Sequence, residues 1–199
     1  MTGRWVFGYG SLVSPVSFGH TLGRDLTPGI DFFEAELAGY GRRWNYGTDV
    51  TFTAVGPDGI ERTDWTFIAL GLVSALDEST NGVIGWVDDR ELVALDRRER
   101  RYDRVDVTEL VTVSHRAAAG DAPIVTYVPR AEPIAAYEAA RVRGVAAITS
   151  RYWELVDDAF GELGADRRDR YRATTPDPGL PVLALADADV PDRHRGRRR

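Results

Sequence analysis

The stretch Gly82-Val83-Ile84-Gly85-Trp86-Val87-Asp88-Asp89-Arg90-Glu91-Leu92-Val93-Ala94-Leu95-Asp96-Arg97-Arg98-Glu99 places an apolar run, a capping signal and an amphipathic segment in immediate succession. Residues 82–87 read as a buried strand, a short apolar run that stops at a pair of aspartates. Asp88 or Asp89 can cap the next helix, and Glu91, three residues after Asp88, is a capping-box partner. The spacing predicts a helix over 89–101. At 100° per residue, Leu92, Leu95 and Glu99 fall within about 60° of one another on its surface, so an acid stands where a core residue is expected. Burying an unpaired carboxylate is costly. The chain has either supplied a structural partner or uses a carboxyl group of raised pKa as an acid or base. Arg97, Arg98, Arg100 and Arg101 surround Glu99 in sequence, which by itself favours the structural reading.

Working outward toward the N-terminus, residues 5–9 read as a first strand, with Gly8 marking a close approach by another group. Gly10-Ser11-Leu12-Val13 turns, and Ser14-Pro15 has the form of an N-cap followed by proline at the first helical position. That short helix stops near Gly23. Residues 32–40 and 42–46 read as a strand pair broken at Gly39-Tyr40-Gly41. Residues 51–55 and the apolar run 65–72 continue the sheet, with Pro57-Asp58-Gly59 as a turn.

Toward the C-terminus, residues 102–107 alternate as a strand and 124–128 form another, joined through 117–120. After Pro133 the pattern turns helical: an alanine-rich helix is expected over 134–150, and 151–163 continues with Tyr152, Leu155, Val156, Ala159 and Phe160 at helical spacing. Residues 174–181 are too rich in proline and glycine for a helix, and the chain is expected to unravel beyond Leu185. Strands crowd the first two-thirds and helices the last third. The expected fold is α/β (α+β), a mixed sheet or partly closed β-barrel with flanking helices rather than a regular βαβ array.

With 199 residues, 43% of them hydrophobic, the chain can bury one substantial core. A single domain over 1–186 is expected, followed by a basic, disordered tail at 187–199. The formal charge is −6 despite that tail, so the remaining body is acidic, which argues against a nucleic-acid enzyme. The absence of cysteine removes disulfides, thiol nucleophiles and thiolate metal sites together. Met1-Thr2-Gly3-Arg4 does not read as a signal peptide and no apolar run approaches membrane-spanning length, so a soluble cytoplasmic protein without membrane partners is expected.

The loop Tyr9-Gly10-Ser11-Leu12 lies between a strand and a capped helix, where glycine lets backbone amides face an anionic or carbonyl oxygen. A tight turn with no ligand would need the same glycine. The loop is no nucleotide fingerprint: neither GxGxxG nor GxxxxGK[ST] occurs. Ser11 as a nucleophile would want a histidine and an acid, and His20, His115 and His194 are scattered with no such pattern and no zinc-ligand spacing. No cofactor and no metal are expected. An amide loop at a strand end and an inward carboxylate after a buried strand could converge over one sheet edge, either as a site or as a structural arrangement in which Glu99 accepts the loop's amides.

Three ordered motifs carry a resemblance. Phe7-Gly8-Tyr9-Gly10-Ser11-Leu12 resembles the YGSL or YGSN loop of the gamma-glutamylcyclotransferase-like (AIG2-like and ChaC-like) family. Gly82-Val83-Ile84-Gly85-Trp86-Val87, followed by Leu95-Asp96-Arg97-Arg98-Glu99 and Tyr102, resembles its second signature. Pro133 to Tyr137 followed by Gly144 is similar to its tyrosine-containing helix leading to a glycine. The resemblance covers about residues 5–160. It implies a mixed-sheet, barrel-like α/β fold with a cavity, a loop that binds the γ-glutamyl portion through amides of Gly10, Ser11 and Leu12, and Glu99 as general acid/base. It implies a small-molecule γ-glutamyl substrate whose α-amine attacks its own γ-carbonyl, leaving 5-oxoproline and a free amine. Tyr9, Tyr102 and Tyr127 are further candidates for substrate contact, each equally readable as a packed aromatic. Arg42 or Arg43 could meet a substrate carboxylate bidentately. The matched glutamate is frequently followed by glycine in the family, whereas Arg100 and Arg101 stand here, either selecting an acidic substrate or merely solvated. The alternative is a non-catalytic small-molecule binding or interaction domain on the same scaffold, and the oligomeric state stays open.

Overall fold

The computed structural model describes residues 3–114 and 120–185. Strand β1 (Gly3–Gly8) leads through a 3-10 turn (Ser11–Val13) into α1 (Pro15–Leu22). Ser14 caps α1 by accepting from the Ser17 amide at 3.2 Å, Pro15 opens it, and Gly23 closes it at φ 76°. This matches the reading of Ser14-Pro15 as a helix start.

Two very long strands follow, β2 (Phe32–Val55) and β3 (Glu61–Asp88), joined by the expected turn at Pro57-Asp58-Gly59. The break expected at Gly39-Tyr40-Gly41 is absent. Gly39, at φ 77°, forms a bulge in one continuous strand, and both flanking pieces pair with β3. A bulge inserts a residue and sharpens the twist without ending the ladder. Register shifts at four places along β2 and β3 bend the hairpin.

Helix α2 (Asp89–Arg98) leaves β3 through the expected capping box: Asp88 Oδ1 accepts from the Arg90 and Glu91 amides, and Glu91 Oε2 accepts from the Asp88 amide at 2.9 Å. Then come β4 (Tyr102–Asp106), β5 (Val111–Val113), β6 (Ile124–Pro129), α3 (Ala131–Val142), β7 (Ala146–Thr149), α4 (Ser150–Glu162), α5 (Ala165–Thr174) and β8 (Val182–Leu183). The sheet order is β4-β6-β1-β3-β2-β5, with β7 on β3 and β8 on β7. The β1–β6, β3–β7 and β7–β8 pairs are parallel and the others antiparallel.

The helix expected over 134–150 is corrected by this arrangement. It ends at Val142, Gly144 turns at φ 70°, and Ala146–Thr149 is a strand buried at every position. Alanine favours helix intrinsically, but a segment buried on both faces between β3 and β8 can satisfy its backbone only by pairing, and tertiary context overrides propensity. Strand β5 and helix α5 were not foreseen. The tail at 187–199 and most of the 117–120 connection lie outside the described residues.

Phe7, Phe18, Leu37, Ile68, Leu70, Leu72, Ile84 and Leu95 are fully buried and belong to one core cluster that runs from Trp5 to Leu183. Each such side chain contributes roughly 1.5–3 kcal/mol by burial. Among the described residues no helix is long and apolar enough to cross a membrane.

Candidate active site

At the end of β1 the chain folds back on itself. A Cβ added to Gly8 would stand 2.7 Å from Leu12 Cβ, so only glycine allows the turn to close this tightly. Val13 N–H donates to Gly10 O at 2.9 Å and Ser14 N–H to Ser11 O at 3.3 Å. The amides of Ser11 and Leu12 sit at the open end of that turn, where a helix has no acceptor of its own to offer.

Helix α2 ends three residues earlier than expected. Glu99 is its C-cap, with its N–H on Leu95 O at 2.8 Å, and Tyr102 N–H returns to Glu99 O at 2.8 Å to start β4. The side chain is buried all the same, 14% exposed. It stands with the β1 loop at a small cleft. Tyr9, Gly10, Ser11, Leu12, Glu99, Tyr102 and Tyr127, from three separate stretches of the chain, line that cleft, and Phe7, Leu70 and Tyr152 complete it.

The Glu99 carboxylate makes an ion pair with Arg98, Oε1 to Nε at 3.0 Å. Among the described residues no group donates a hydrogen bond to it. Burial pushes its pKa up, and the Arg98 charge pulls it back only in part. Both alternatives left open by the sequence are therefore realised: a partner is present, and the carboxyl still holds its proton more tightly than an ordinary glutamate.

The phenols around it are mostly committed. Tyr9 Oη donates to Tyr127 O at 2.7 Å, and Tyr127 Oη donates to Asp96 Oδ1 at 2.8 Å. Tyr102 Oη lies 3.4 Å from Leu70 O, a long contact. Its ring stacks on Tyr46 at 4.4 Å. Burial raises the pKa of Tyr9, Tyr102, Tyr127 and Tyr152, with the Glu99 charge adding to each, so all four stay neutral donors rather than bases.

Arg42 does not line the cleft, which corrects its expected meeting with a substrate carboxylate. Its side chain is wholly buried, with the guanidinium 4.9 Å from both the Phe160 and Tyr171 ring centres. Its Nη1 and Nη2 donate to Asn81 and to Thr175 Oγ1, while the buried Nε has no hydrogen-bond partner among the described residues. Burial lowers its pKa to about 10. Those two rings stack on each other at 4.5 Å, and a guanidinium buried beside them is held by packing and is not free to bind a ligand. Arg43 pairs instead with Glu78. At the rim, Arg100 is exposed and meets Asp49 at 3.1 Å, whereas Arg101 packs over Tyr46 at 5.9 Å and reaches Glu132 at 3.3 Å.

Sequence reasoning missed Leu70, Tyr152 and Arg98 at this site. Tyr152 was legible only as a core position of its helix. A Cβ on Gly10 would stand 3.0 Å from its hydroxyl, a non-local approach that no sequence spacing encodes. Among the described residues no cluster of three His, Asp or Glu side chains could hold a metal ion.

The fold and cleft together define a mixed-sheet α/β protein with a buried carboxyl group facing a glycine loop. No protein-family model and no curated protein matches the chain. Solved structures do. The chain is similar in fold to a gamma-glutamyl cyclotransferase at 13% identity and TM-score 0.54, covering 88% of this chain and 90% of that one. It is similar to an uncharacterized protein from Homo sapiens at 14% identity and TM-score 0.55, covering 89% and 90%. YkqA from Bacillus subtilis matches at 16% identity and TM-score 0.51, over 92% of this chain and 56% of that one. The fold is thus that of the gamma-glutamyl cyclotransferases.

Proposed function

We propose that this protein is an enzyme that cyclises a γ-glutamyl amine, amino acid or peptide to 5-oxoproline with release of the free amine. The observation that carries the reading is the single cleft shared by Glu99 and the Gly10 loop, with the carboxyl pKa raised by burial. The fold shared with a gamma-glutamyl cyclotransferase supports it. The core that joins Trp5 to Leu183 supports reading 1–186 as one catalytic domain.

The substrate's α-ammonium must lose a proton before it can attack. Glu99 takes that proton, and the neutral nitrogen adds to the γ-carbonyl carbon, closing a five-membered ring. Glu99 gives that proton to the leaving nitrogen as its bond to carbon breaks, and the ring nitrogen, still carrying two hydrogens, sheds its second proton through Glu99 to the same amine, which departs as an ammonium while the carboxylate is restored. Atoms and charge balance with no redox step and no covalent enzyme intermediate. A carboxyl whose pKa burial has raised serves both halves better than an ordinary glutamate, because it takes up the proton more readily and can still give it back. The Ser11 and Leu12 amides are the donors for the carbonyl oxygen as charge develops on it. Ring closure is intramolecular, so holding the substrate folded is much of the work. The aromatic walls exclude water and supply that shape.

The test is a crystal structure of the Glu99→Gln variant with γ-glutamyl methylamide. The expected result is an α-amine within hydrogen-bond reach of residue 99 and a γ-carbonyl against the loop amides. A ligand seated elsewhere, or turned with its amine away from residue 99, would contradict the proposal.

A further inference from the structure

Arg98 touches three separate parts of the molecule. Its Nη2 donates to Ser11 Oγ at 2.8 Å, in the glycine loop. Its Nη1 donates to Thr21 Oγ1 at 2.6 Å and to Ser17 O at 3.2 Å, on α1. Its Nε stands 3.0 Å from Glu99 Oε1. The guanidinium is absent from the cleft lining, so its donors are committed to the protein and not to a ligand.

We propose that Arg98 is a positioning residue that fixes the glycine loop, helix α1 and the Glu99 carboxyl in one mutual arrangement. The inference rests on the acid/base reading of Glu99. Ser11 and Glu99 belong to distant parts of the sequence, and Arg98 joins them through one rigid planar group. Lysine presents a single point charge and cannot span these acceptors at once, whereas the guanidinium fork can. A misplacement of about 1 Å at such a site costs about 10²-fold in rate, and the fork guards against it.

The same residue tunes the acid. The groups facing Glu99 from the surrounding elements are Tyr9 in the loop after β1, Tyr46 on β2, Tyr102 on β4, Tyr127 on β6 and Tyr152 on α4, all phenols with raised pKa. Among the described residues Arg98 is the cation that draws the carboxyl down against burial. Removing that charge leaves burial unopposed, and the carboxyl titrates at higher pH.

The experiment compares wild type with Arg98→Gln, Arg98→Lys and Thr21→Val. Two quantities are read: the kinetics of 5-oxoproline release, and the titration of the Glu99 carboxyl by ¹³C NMR, assigned through Glu99→Gln. Arg98→Gln is expected to lower kcat about 10²-fold with little change in KM, and to move the titration upward. Arg98→Lys should keep the titration near the wild-type position while recovering only part of kcat. Thr21→Val, outside the cleft, should lower kcat by a few-fold and leave the titration in place. A folded Arg98→Gln protein with wild-type kcat and an unmoved titration would overturn the proposal. Should that variant not fold, wild-type kcat in Thr21→Val overturns it. If wild type releases no 5-oxoproline, the cyclisation reading fails, while the titration shift still decides whether Arg98 holds Glu99.

Discussion

Glu99 and Asp157 are buried to similar extents, their side chains 14% and 10% exposed, and they lean opposite ways. Asp157, on α4, accepts from Arg168 Nε at 2.9 Å and from Arg172 Nε and Nη2 at 2.8 Å each, with Arg168 Nη2 as a further donor. Hydrogen bonds from Arg168 lead in drawing its pKa down to about 2, and those from Arg172 add to them against burial. Glu99 has one adjacent guanidinium, no donated hydrogen bond among the described residues, and a pKa shifted upward by burial. Burial alone therefore does not set the charge of an acid; the number of donors aimed at it does. Asp157 is built to stay ionised and tie α5 to α4. Glu99 is left able to exchange a proton.

The largest effect expected from this contrast is kinetic. Glu99→Gln should lower 5-oxoproline release by about 10²–10⁴-fold, the range carried by one general acid/base. Asp157→Asn should leave the rate per folded molecule near wild type. A comparable loss in both variants would erase the distinction between the two sites.

Stability should run the other way. Asp157→Asn loses charge-assisted bonds to half-exposed arginines and should cost about 2 kcal/mol in urea unfolding. That contribution is complete above an unfolded pKa of about 3.9 and is lost as pH falls through about 2, the folded value. Glu99 has the opposite sign. Its folded pKa lies above its unfolded one, so stability falls as pH rises from the unfolded value through the folded value, and the deficit persists above it. Glu99→Gln should accordingly melt higher than wild type at neutral pH and lose that advantage under acid conditions, a stability gain bought with activity. An equal melting temperature at both pH values would contradict the raised pKa.

Smaller effects test the walls of the cleft. In Gly10→Ala the new methyl group meets the Tyr152 hydroxyl at 3.0 Å and Leu70 at 3.6 Å, so the ring must shift. Turnover should fall about tenfold, a smaller displacement than the 1 Å that costs 10²-fold, with the melting temperature nearly unchanged. Tyr127→Phe removes a hydroxyl that points at Asp96, which keeps Arg104 as a partner. It should cost about 1 kcal/mol of stability and leave KM unaltered; a raised KM would instead place that hydroxyl on the substrate.

The fold was legible where its cues are local. Asp88 with Glu91 and Ser14 with Pro15 mark helix starts through bonds spanning three residues, and both stand where the sequence put them. The turn at Pro57-Asp58-Gly59 is equally local. What escaped is settled at a distance. Residues 146–149 form a strand because β3 and β8 lie on either side, and nothing within an alanine-rich segment announces those neighbours. Gly39 resembles a strand end in sequence and is a bulge because β3 continues past it.

Within the candidate site, the glycine loop and Glu99 stand out through motif and periodicity. Arg98 was visible only as one of four arginines around the acid; its bonds to Ser11, Ser17 and Thr21 depend on how α1 packs on α2. In the sequence Arg42 reads as a ligand contact because it lies where the resembled family lines its pocket and a guanidinium suits a carboxylate. Phe160 and Tyr171, more than a hundred residues away, close over it instead.

The most direct measurement is 5-oxoproline release by the wild-type protein across a panel of γ-glutamyl amines, amino acids and peptides, with Glu99→Gln as the blank. Release from at least one member by wild type, with none above background in the variant, is the predicted result. Silence across the whole panel, or an equal rate in the variant, would contradict the assignment of proton transfer to Glu99.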